Sequence, residues 1–96
     1  MLRIIALFAF LATPLVAQDK EMLCNISGEI VQAAVDQRVG GVDEETAVKN
    51  VVETLPDDKA RFKPAVEPLV QWVYTLEPEE LTEEVATSYV LACLSQ

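Results

Sequence analysis

From Asp19 to Val39 the apolar positions return at helical spacing. With residues placed about 100° apart, Leu23, Cys24, Ile26, Ser27, Ile30, Val31, Ala33, Ala34 and Val35 fall on one broad arc. Asn25, Gly28, Glu29, Gln32 and Asp36 take the other side. Gly40 and Gly41 end this amphipathic helix, because glycine reaches the left-handed conformation that a helix terminus requires. Asp43 is a good N-cap for a second helix, with Glu44 and Glu45 at the positive end of its dipole and Val42 placed to staple onto Ala47. Its inner face is Ala47, Val48, Val51, Val52 and Leu55, and Pro56 follows its end.

The segment DDKARFKPAVEP (57–68) breaks the pattern. Pro64 and Pro68 lack amide protons and bias the residues before them away from helix, so the expectation is one short turn near residues 58–62. A third helix then follows from about Val66 to Leu76, with Val66, Leu69, Val70 and Val73 inside and Trp72 and Tyr74 on its two edges. A fourth helix is expected from about Glu79 to Leu94, opened by Pro78 and a run of glutamates, with Leu81, Val85, Ala86, Tyr89, Ala92 and Cys93 on one face. Neither strand alternation nor an internal repeat occurs. The fold class is all-α, a small up-down four-helix bundle.

The segment before the first of these helices has a different character. MLRIIALFAFLATPLVA (1–17) carries one cation at Arg3, an apolar run from Ile4 to Ala12, then Pro14 and the small residue Ala17, the order of a secretory signal peptide. The run falls short of the roughly 20 apolar residues that a membrane-spanning helix needs. Cleavage after Ala17 is expected, giving a domain over 18–96, periplasmic or secreted, without a stable membrane anchor. Asp19, Lys20 and Glu21 separate the run from Cys24, and Leu23 directly precedes it, which speaks against lipidation.

Removing 17 of the 96 residues leaves 79. Chains of this size bury about 60% of their unfolded surface and often depend on a covalent staple. Cys24 and Cys93 are the only cysteines, so they form the one pairing available within the chain, and an exported compartment lets it persist. An even number of antiparallel helices brings the start of the first and the end of the last to one pole. The cysteines therefore agree with the bundle topology independently of the apolar pattern.

Charge restricts the partners. The chain has 16 acidic and 7 basic residues, and loss of Arg3 with the leader leaves six basic, a formal charge of −10. Such a surface repels nucleic acid and anionic lipid and suits a cationic protein. There is no histidine, so the commonest general base and the commonest zinc ligand are both missing, and with the cysteines used as a staple no thiol nucleophile remains and no familiar triad can be assembled. No catalytic, cofactor-binding or metal-ligating residue is expected, and the chain does not read as an enzyme.

The candidates for partner binding are Arg38, Trp72, Tyr74 and the glutamates Glu79, Glu80, Glu83 and Glu84. Arg38 leaves the first helix beside its apolar arc, where its stem can lie along the core and its charge can meet helix-end carbonyls or a carboxylate. Trp72 and Tyr74 bracket the third helix's inner stripe, either closing the core or forming a binding hot spot. The glutamates repeat at helical spacing, and no acidic calcium loop with its central glycine accompanies them. Lys59, Arg61 and Lys63 make the one basic cluster, around Phe62.

Cys24, RVGGV (38–42), YTLEP (74–78) and YVLAC (89–93) together resemble parts of small exported helical proteins of Gram-negative bacteria and their phages that have no assigned function. More distantly the chain is similar to the periplasmic immunity proteins of type VI secretion (the Tai group) and to the acid-stress chaperones of the Hde type. The resemblance implies export and a disulfide-tied helical domain. The expected function is an acidic binding or inhibitory module of the immunity type, with a periplasmic acid-stress chaperone as the alternative.

Overall fold

A computed structural model describes the backbone of residues 2–96 and the side chains of residues 19–96. The leader expected over residues 1–17 lies outside the residues whose side chains are described. Among the described residues the chain is all-α, with four α-helices and one disulfide. The helices are α1 (Leu2–Val39), α2 (Glu44–Thr54), α3 (Lys63–Val73) and α4 (Glu84–Leu94), with short 3-10 turns at Asp57–Phe62 and Pro78–Glu80.

The end of α1 shows why the glycine pair is there. Gly41 has φ 83°, the left-handed conformation. Its amide bonds the Arg38 carbonyl, and the Val42 amide reaches back to Gln37 at 3.0 Å, the paired closure of a Schellman motif. The chain reverses at once into α2, where Asp43 accepts hydrogen bonds from the Thr46 amide at 3.2 Å and the Thr46 hydroxyl at 2.8 Å.

The core lies between α1, α2, α3 and the first 3-10 turn. Ile26, Ile30, Val31, Ala34 and Val35 of α1 meet Ala47 and Val51 of α2, Phe62 of the turn, and Val66, Val70 and Val73 of α3. Two assignments on α1 are corrected. Leu23 is half exposed, because it stands beside the first 3-10 turn rather than over the core. Gly28, placed by spacing on the polar side, is buried, because α4 lies directly on it.

Around the prolines the structure also departs from expectation. The helix begins three residues early, at Lys63, with Pro64 in its first turn and Pro68 inside it. Pro64 sits where an amide would have no helical partner in any case. Pro68 forfeits one backbone bond, a cost of about 3 kcal/mol in a helix interior. Val66, Val70 and Val73 are wholly buried, and roughly 1.5 kcal/mol or more for each outweighs that loss.

The fourth helix, expected from Glu79, is interrupted. Residues Pro78–Glu80 form a 3-10 turn closed by a capping box between Glu77 and Glu80, and α4 begins only at Glu84. Between them Leu81 leaves helical geometry (φ −79°, ψ 74°) to turn its side chain towards the core. The Thr82 hydroxyl accepts a hydrogen bond from the Glu84 amide at 3.3 Å. From there α4 runs back along α1 to the Cys24–Cys93 bond, whose α-carbons are 5.7 Å apart. On α4, Val85, Ala86 and Tyr89 flank the core, whereas Ala92 is exposed and not part of the inner face expected for it.

Candidate functional site

Chain direction sorts the bundle into two poles. One holds the disulfide, the first 3-10 turn and the start of α3. The other holds the Gly40–Gly41 reversal, the start of α2, the end of α3 and the start of α4.

At the second pole Arg38 is a tie between helices. Its guanidinium donates to the Val73 carbonyl, at the end of α3, at 2.8 Å and to the Leu76 carbonyl in the turn that follows, and lies 5.8 Å from the centre of the Tyr74 ring. The cation therefore serves the negative end of α3's dipole rather than that of its own helix. Tyr74 completes the joint by donating its hydroxyl to the Val42 carbonyl at 2.5 Å. Burial first, then the nearby Asp43 and Glu44 charges, raise the Tyr74 pKa, and Arg38 pulls it partly back. Arg38 and Tyr74 thus join α1, the turn that leads into α2, and the end of α3, with their polar groups turned inward to the chain.

Trp72 is placed differently. It is 40% exposed and lies against Tyr89 of α4, with ring centres 5.9 Å apart and ring planes tilted by 45°. Beside it opens a groove of about 370 Å³ between the end of α3 and the start of α4. Trp72, Leu76 and Val85 supply its apolar lining, and Glu79, Glu80 and Glu84 its charge. The break in the fourth helix creates this space, because Glu79 and Glu80 sit on the 3-10 turn while Glu84 opens α4. Glu80 also accepts a hydrogen bond from the Glu77 amide at 3.0 Å, which holds it in place. Glu83 is exposed and does not line the groove.

Among the described residues no cation lines this groove. The same pole carries Asp43, Glu44 and Glu45 at the start of α2, and its Arg38 is already committed to carbonyls. The basic cluster lies at the opposite end. There Lys59 approaches Glu29 at 3.8 Å, Arg61 lies 4.9 Å from the centre of the Phe62 ring, and Lys63 is exposed. Among the described residues, no three cysteine or acidic side chains converge in a way that would hold a metal ion.

Sequence pattern named Trp72, Glu79, Glu80 and Glu84 of the groove, missed Leu76, Thr82, Val85 and Ser88 as its lining, and could not assemble them. Helical spacing put all four glutamates on one continuous helix, and the signal for the break was Leu81 followed by Thr82, a residue that caps helix starts. Comparison with protein-family models, with curated proteins and with solved structures finds no match to this chain.

Proposed function

We propose that this is an exported binding module, of the inhibitory or immunity type, whose acidic pole engages a cationic segment of a protein partner at the Trp72 groove. The observation that carries the reading is an exposed tryptophan beside three glutamates in a groove without a cation of its own. A lysine or arginine entering there would meet an aromatic face and flanking carboxylates together. Cation–π contact is worth about 0.5–2 kcal/mol, rising as water is excluded. The surrounding carboxylates add attraction at long range and steer encounter.

The test is retention of proteins from a periplasmic extract on the immobilised domain in low salt and near 1 M salt, where screening shortens to about 3 Å. A partner retained at low salt, released at high salt, and lost by both Trp72→Ala and the Glu79→Lys/Glu80→Lys/Glu84→Lys variant supports the reading. A partner retained equally by all three proteins refutes the assignment of the site.

A further inference from the structure

The core draws none of its buried residues from α4. Every buried apolar side chain in it belongs to α1, α2, α3 or the first 3-10 turn, and α4 has no buried residue. Polar ties divide the same way. Arg38 joins α1 to the end of α3, Tyr74 joins α3 to Val42, and the Asn50 amide donates to Gln37 across α1 and α2 at 2.8 Å. Among the described residues the side-chain hydrogen bonds of α4 are local, the Thr87 hydroxyl to the Glu83 carbonyl, the Glu84 amide to the Thr82 hydroxyl and the Ser95 hydroxyl to the Ala92 carbonyl, and none crosses to another helix.

Three things hold α4 in place. Val85, Ala86 and Tyr89 pack against the core's flank, and Tyr89 also lies against the Trp72 ring at the end of α3. Gly28 admits Val90 so closely that a Cβ there would overlap the valine methyl. The third is the disulfide at its far end. Eleven residues are fewer than the roughly 12–15 that an isolated helix needs to be even marginally stable in water. Docking and helix formation of α4 are therefore coupled.

We infer that the Cys24–Cys93 bond is a redox latch on α4: reduction releases and unravels this one helix, while α1, α2 and α3 stay folded. With both ends fixed, α4 re-docks from a very high effective concentration, and cutting one tether lowers it sharply. Release uncovers the part of α1 beneath, where Cys24 and Gly28 lie on one helical face and are buried now.

The reductant is a dithiol, in the cell one of the Cys-x-x-Cys class and in the test dithiothreitol. Cys24 is wholly buried whereas Cys93 is partly exposed, so attack falls on the Cys93 sulfur. A reductant thiolate bonds to that sulfur, the bond to Cys24 breaks, and Cys24 leaves as a thiolate that takes up a proton. The second reductant thiolate then displaces Cys93, which is protonated in turn. Two electrons and two protons pass to the chain, and the reductant ends as its own disulfide.

Hydrogen exchange of the oxidised and dithiothreitol-reduced chain, read segment by segment, tests the latch, with a Cys24→Ser/Cys93→Ser variant alongside. The expected result is exchange in 84–94 faster by about tenfold or more, with 44–54 and 63–73 changed less than about twofold. Helical circular dichroism falls by no more than the share of α4, and Trp72 emission moves to the red as Tyr89 leaves. Reoxidation reverses all three. Simultaneous loss of protection in every helix would make the bond a global staple and overturn the latch, as would unchanged protection in 84–94.

Discussion

Replacing Arg38 by methionine tests the joint at the acidic pole, because methionine keeps an apolar stem and removes the guanidinium. Two hydrogen bonds to the Val73 and Leu76 carbonyls disappear. Hydrogen bonds to charged groups contribute about 1.5–3 kcal/mol each, and partial burial here, where water can replace part of the loss, places these at the low end. The variant should lose about 2–3 kcal/mol. A domain of this size has a total stability of roughly 4–12 kcal/mol, so that is a large share of it. At about 4–8 °C per kcal/mol the midpoint of thermal unfolding should fall by roughly 10–20 °C, read by circular dichroism at neutral pH. Arg38→Lys should recover less than half of this, since one ammonium cannot fork two carbonyls as a guanidinium does. A fall of less than about 4 °C for Arg38→Met would refute the tie and return Arg38 to the candidates for partner binding.

Other predictions follow from the same geometry. Gly28→Ala should weaken the docking of α4 and raise exchange in 84–94 even in the oxidised chain, and Val90→Ala should relieve much of that effect by making room for the new methyl. Asp43→Ala should lower the melting midpoint by removing the cap on Thr46, seen by calorimetry at neutral pH. Hydrogen bonding to Thr46 lowers the Asp43 pKa below 3.8. The cap's contribution is therefore present above that value and is lost as pH falls through the lowered pKa, so wild type and Asp43→Ala should converge in acid. Tyr74 behaves in the opposite sense: its pKa is raised above 10.0, so its contribution is complete below that value and is lost as pH rises through the raised pKa. Tyr74→Phe should be less stable than wild type at neutral pH, and the gap should close in alkaline melts.

The helices and their order could be read from the apolar pattern because α1, α2 and α3 each bury a stripe of small branched residues at regular spacing. The disulfide followed because two cysteines in a bundle with an even number of helices meet at one pole. The misread positions are those where tertiary contact overrides local preference. Gly28 carries no side chain to register on a helical wheel, yet its absence of a Cβ is what admits Val90. Pro68 reads as a breaker until three buried valines outweigh its missing bond. The Trp72 groove depends on Leu81 turning inward, a choice made by the core and not by the glutamates around it. Arg38 was legible as a helix-end cation, but only the packing assigns it to the end of α3.

The proposed module rests on the groove's appetite for a cation, and the single tryptophan reports it directly. An arginine-rich peptide titrated into the oxidised domain at low salt should change Trp72 emission saturably. Glu79→Gln/Glu80→Gln/Glu84→Gln should weaken that binding by about threefold to a hundredfold, since each rim carboxylate contributes roughly 0.2–1 kcal/mol and the three act on one cation. High salt should weaken it comparably. Emission that does not respond to the peptide, or a response that survives both neutralisation and high salt, would contradict the account.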